Sequence, residues 1–94
     1  MAKPAYQVTC HTPDDSDLDR RIQGLGGPGG GSPWWREIDY LISGIESGAY
    51  DLWTVAPDGT SVWVIVATRN GRKYLKTEAD GLDPNNLLAL PHCR

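Results

Sequence analysis

Ninety-four residues, 39% of them hydrophobic and 22% charged, fit one small domain of two layers around a single core and leave no room for a second. A net charge of −3 excludes a chain-wide basic surface for nucleic acid, and no apolar run is long enough for a membrane-spanning helix. The opening M-A-K-P-A-Y lacks a secretory signal and two cysteines are too few for a disulfide framework, so the expectation is a cytoplasmic protein with Cys10 and Cys93 as thiols.

Tyr6 to Thr12 alternates, with Tyr6, Val8 and Cys10 on one side and Gln7, Thr9 and His11 on the other, which predicts a half-buried strand stopped by Pro13. A flexible loop, first acidic and then glycine-rich, is expected over about residues 13–32, with Ile22 and Leu25 able to anchor a short second strand inside it. Ser32 to Gly48 reads as the central helix. Trp34, Ile38, Leu41, Ile42 and Ile45 form one apolar stripe, Ser32 can cap, Pro33 suits the first helical position, and Gly48 suits the left-handed end.

After the helix, Tyr50 to Val55, the turn Pro57-Asp58-Gly59 and S-V-W-V-I-V-A predict a hairpin whose second strand is central. Asn70-Gly71 supplies the positive φ pair of a type I′ turn, and R-K-Y-L-K-T returns as its partner. At the end, Asp80-Gly81 turns, Asp83 can cap, Pro84 can open a short helical turn, and Leu87, Leu88 and Leu90 fold back on the sheet. The predicted class is α+β over residues 1–94. One antiparallel sheet of four to five strands, in the order β-β-α-β-β-β, carries the amphipathic helix on one face.

Three phrases, Y-Q-V-T-C near the start, Y-L-K-T after the hairpin and D-G-L-D-P-N-N-L-L-A-L-P-H-C at the end, occur with G-L-G-G after an isoleucine, a tryptophan before the helix and I-E-S-G at its end. Together they resemble the small bacterial family catalogued as domain of unknown function 3892. The resemblance implies a compact α+β fold and brings no assigned reaction.

Several constellations invite a chemical reading. Gly24, Gly26 and Gly29 match G-x-G-x-x-G, but Pro28 interrupts the phrase and no βαβ unit surrounds it; a looser version places an anion at the start of the helix. Asp15, Asp17 and Asp19 are spaced like calcium-loop ligands, with Arg20 where glycine belongs and Gly26 where glutamate belongs. Cys10, His11, His92 and Cys93 are the ligand types of a Cys₂His₂ zinc site, yet neighbours on a strand point to opposite faces; packed thiols or a disulfide are the alternatives. Neither histidine adjoins an assembled nucleophile and carboxylate, so no enzyme is expected. Arg69, Arg72, Lys73 and Lys76 surround the Asn70-Gly71 hairpin with Trp53 and Trp63 on the strands leading to it, a pattern suited to phosphate and base stacking. Trp35, at the margin of the helical stripe, is the single best contact candidate.

These observations predict a non-enzymatic binding module that presents Trp35, the glycine loop and the second face of the sheet to a protein or small ligand, with a protein partner or self-association favoured. A nucleotide or nucleic-acid binder using Trp63 and the basic hairpin is the alternative, and a Cys/His metalloprotein the second. No cofactor and no membrane association are expected.

Overall fold

The structure is a computed structural model that describes residues 3–14, 16, 21–29, 32–80 and 85–93. Its elements are β1 (Ala5–Gln7), β2 (Cys10–Pro13), β3 (Ile22–Gly27), β4 (Trp34–Glu37), α1 (Ile38–Ser47), β5 (Asp51–Val55), β6 (Ser61–Arg69), β7 (Arg72–Thr77) and α2 (Asn85–Leu88). The α+β class and the helix stand, but the strands number seven among the described residues and divide between two sheets. One has the order β1-β5-β6-β7 and the other β2-β3-β4.

The meander β5-β6-β7 follows from its sequence. β-Branched and aromatic runs alternate, and the chain reverses where positive φ is available, at Gly59 (φ 91°) and at Asn70 and Gly71 (φ 52° and 76°). β1 joins the edge of this sheet in parallel with β5, Tyr6 lying opposite Leu52.

The predicted strand Tyr6 to Thr12 is broken between the two sheets. The Val8 amide donates to the Trp53 carbonyl at 2.7 Å in the first, and the next amide, Thr9, donates to the Gly26 carbonyl at 2.9 Å in the second. Thr54 Oγ1 fixes the crossing by donating to the Val8 carbonyl at 2.8 Å. A strand that changes sheets does not keep its alternation, so Val8 and His11, expected on opposite sides, are both buried.

The helix begins at Ile38, not Pro33. Trp34 to Glu37 are extended because they pair with β3, Gly27 opposite Trp34 and Gly24 opposite Glu37. Glycines in β3 allow this, since a side chain on Gly24 would overlap the Trp35 ring. Glu37 is thus the N-cap residue, without a side-chain cap, and Ser32 has no capping role. The far end is as expected: Gly48 is left-handed at φ 79° and its amide donates to the Ile45 carbonyl at 3.2 Å.

α1 buries Ile38, Leu41 and Ile42 against Ile22 and Leu25 of β3 and Leu52, Val64 and Leu75 of the meander, which closes one core between the two sheets. The tail folds back as predicted. Leu87 of α2 is fully buried, and the Asp80 carboxylate accepts from the Thr77 amide and hydroxyl at 3.2 and 3.0 Å and from the Asn86 amide at 3.2 Å. The proposed cap and opening at Asp83 and Pro84, the turn residue Gly81 and the calcium-like Asp15, Asp17 and Asp19 lie outside the described residues. Among the described residues no helix is long and apolar enough to cross a membrane.

Candidate functional site

Once Trp34 to Glu37 are a strand, alternation puts Trp34 and Arg36 on the side of α1 and Trp35 and Glu37 on the opposite face. Trp34 and Arg36 then border a cleft of about 450 Å³ where the edge strands β1 and β4 leave the seam between the sheets uncovered. Tyr6 comes from β1, Tyr40 and Leu41 from the first turns of α1, Tyr50 and Leu52 from the return into β5, and Pro28 and Gly29 from the glycine loop.

The walls are rings set edge to face, Tyr6 against Trp34 with centroids 6.5 Å apart and against Tyr50 at 5.8 Å. Tyr50 lies over Gly44 of α1, where a side chain would overlap its ring, and its hydroxyl donates to the Tyr40 carbonyl at 3.3 Å. Burial, reinforced by the Tyr40 phenol, pushes the Tyr50 phenol above its ordinary value, so it stays a protonated donor. Arg36 places its guanidinium carbon 5.5 Å from the centre of the Tyr40 ring and donates from Nη1 to the Trp35 carbonyl at 2.8 Å. Trp34 Nε1 is buried and has no hydrogen-bond partner among the described residues. Among the described residues the lining contains one cation, three phenols and an indole N–H, and no carboxylate.

The residues favoured by the sequence lie elsewhere. Trp35, 39% exposed, covers Gly24 on the outer face of the second sheet and donates from Nε1 to Thr12 Oγ1 at 3.1 Å. Trp63 stands opposite Trp53 on the outer face of the first sheet and is 47% exposed; both border a groove of about 350 Å³. Lys76, opposite Ile65, shares that face, and its Nζ donates to the Asp80 carbonyl at 3.2 Å. Arg69 and Arg72 pair at the hairpin end, roughly 20 Å along β6 from Trp63 at the strand rise per residue. Lys73 projects to the helix side and pairs with Glu46 at 2.8 Å. The four cations therefore divide between two faces.

Cys10 and Cys93 form a disulfide, not the thiol pair expected, because the tail docks alongside β2: the His11 amide donates to the Pro91 carbonyl at 3.0 Å and the Cys93 amide to the His11 carbonyl at 2.8 Å. The bond packs over Gly26. His11 and His92 meet edge to face at 5.1 Å, and no group of three or more metal-ligating side chains forms among the described residues. His11 is buried, with Nδ1 unpartnered among the described residues, and its pKa is lowered by burial and then by His92, against a hydrogen bond to the Leu90 carbonyl. Gly24 and Gly26 are interior strand residues beneath Trp35 and the disulfide, which leaves no glycine cradle for a pyrophosphate. β4 separates the glycine loop from the start of α1, where Glu37 stands, so the looser anion site at the helix start is not formed either.

Tyr6, Trp34, Arg36, Tyr40 and Tyr50 were not singled out as a group by the sequence. The available signal was W-W-R-E read as a strand, which alternates Trp34 and Arg36 to one face. No curated protein and no solved structure matches the chain. The family model described as Protein of unknown function (DUF3892) matches residues 7–91, and the chain belongs to that family.

Proposed function

We propose that this domain is a non-catalytic binding module and that the cleft between β1, β4 and α1 is its binding site, occupied by a small ring-bearing molecule or by such a side chain of a protein partner. The observation that carries this reading is the cleft's lining, in which the rings of Tyr6, Trp34, Tyr40 and Tyr50 share the walls with the Arg36 guanidinium and the Trp34 ring carries a buried Nε1 donor with no acceptor among the described residues. Leaving such a group unpaired costs about 1–3 kcal/mol, and a bound acceptor removes that cost. Size agrees, since about 450 Å³ is within the range of small-molecule sites.

Binding to the folded state raises the melting temperature in proportion to ligand excess over Kd, so thermal melting against a library of ring compounds detects any member that binds. Stabilisation in the wild type that is lost in Trp34→Phe supports the reading. Stabilisation that persists unchanged in that variant, for every ligand found, contradicts it.

A nucleic-acid reading draws on Trp53, Trp63 and Lys76 on the outer face, but Lys73 on the helix side and the distance of Arg69 and Arg72 from Trp63 weigh against it. The metal reading has no group of three or more ligating side chains among the described residues to draw on. A cytoplasmic setting remains part of the proposal, and there the pair over Gly26 would stand as two thiols.

A further inference from the structure

Resting on that reading of the cleft, we infer that its ligand is an aromatic acid: a flat ring system of one or two fused rings bearing a carboxylate. Four rings line the space, and two competing ligand classes suit such a box. Aromatic cages of this kind attract quaternary ammonium groups through the negative faces of their rings. Here Arg36 lines the same cleft with its guanidinium over Tyr40, so one cation-attracting face is already taken and a second cation would be repelled. Among the described residues no carboxylate lines the cleft to offset that charge.

The polar inventory points the same way. Arg36 uses Nη1 on the Trp35 carbonyl and has no carboxylate partner among the described residues of the cleft, which leaves most of its five N–H donors for a ligand. Its planar fork matches a carboxylate in two-point geometry. Trp34 Nε1 is a donor without an acceptor among the same residues, and the Tyr6 and Tyr40 hydroxyls can donate as well, while the Tyr50 hydroxyl is held by the Tyr40 carbonyl. A site rich in donors asks for an acceptor-rich ligand, and its ring walls ask for a flat one. The domain carries net charge −3, so a lone cation among rings also gives discrimination that bulk charge would not.

The experiment is isothermal titration calorimetry of the full chain with three matched probes, 1-naphthoate, 1-naphthamide and phenyltrimethylammonium, repeated on Arg36→Gln. Arg36 is exposed, so the variant folds, and unchanged circular dichroism verifies this. The expected result is naphthoate binding at least tenfold tighter than naphthamide, with that gap closing in Arg36→Gln while amide binding stays the same. Equal affinity for acid and amide overturns the inference and leaves the cleft as a binding site. Tighter binding of the ammonium probe overturns it in favour of a cation cage. Absence of binding by all three at millimolar concentration overturns both the inference and the reading on which it rests.

Discussion

Cutting the Cys10–Cys93 bond is the perturbation whose size follows most directly from connectivity. The cysteines are 83 residues apart, so the bond closes almost the entire chain. In the chain-entropy treatment a loop of that length removes about 4.5 kcal/mol of unfolded-state freedom at 25 °C. Domains of this size hold about 5–15 kcal/mol in all, and a small core lies toward the lower end. Each kcal/mol moves the melting temperature of such a chain by about 4–8 °C, so reduction should lower it by about 20–35 °C. The tail keeps its other anchors, with Leu87 buried and the Cys93 amide on the His11 carbonyl, so the reduced chain should still fold at low temperature. Circular-dichroism melts with and without reductant, with the Cys10→Ala, Cys93→Ala double variant as control, measure the difference. A fall below about 5 °C in both would refute the reasoning, since it would mean that the closed loop contributes nothing the unfolded chain lacks.

Gly44→Ala should destabilise the domain by about 1–3 kcal/mol in urea titrations although alanine is the better helix former, because the new methyl displaces the Tyr50 ring from the cleft wall; a gain in stability would place Tyr50 elsewhere. His11 has a folded-state pKa below the ordinary 6.5, owing to burial and then His92, so the unfolded chain takes up the proton first. Its contribution is complete above about pH 6.5 and is lost as pH falls through the folded-state value, so urea midpoints should drop from pH 7.5 to 5 and drop less in His11→Gln. Asp80→Ala removes the acceptor of the Thr77 and Asn86 amides and should cost about 1–3 kcal/mol in the same titrations, whereas a loss near zero would mean that α2 docks through Leu87 alone. Trp35→Ala, on the outer face of the second sheet, should leave ligand affinity at the cleft within twofold by calorimetry.

The meander was legible because its signals are local. Asn70-Gly71 and Gly59 give the reversals, and Leu52, Val64 and Leu75 fall on the buried face by simple alternation. Gly48 ended the helix where predicted for the same reason. The start of the helix was not legible, since Trp34 fits both a 3.6-residue stripe and a two-residue alternation. What decides between them is pairing with β3, which the sequence offered as a short strand anchored by Ile22 and Leu25 but without naming its partner. The exchange between sheets at Val8 and Thr9 depends on Trp53 and Gly26, both distant in sequence, and leaves no local mark. The cleft stayed hidden with it, because Trp34 and Arg36 share a face only in a strand. At the chain ends Cys10 meets Cys93 while the adjacent His11 meets His92, the divergence of neighbours that strand alternation imposes.

The binding role of the cleft is tested most directly by the four indole N–H cross-peaks in a ¹⁵N–¹H correlation spectrum, one for each tryptophan. With Trp34→Phe used to assign its signal, addition of 1-naphthoate should move the Trp34 peak downfield as its N–H, without a partner among the described residues, gains an acceptor, while those of Trp35, Trp53 and Trp63 hold still. Movement of the Trp53 or Trp63 peak with Trp34 unchanged would place the binding surface on the outer face of the first sheet and contradict the role given to the cleft.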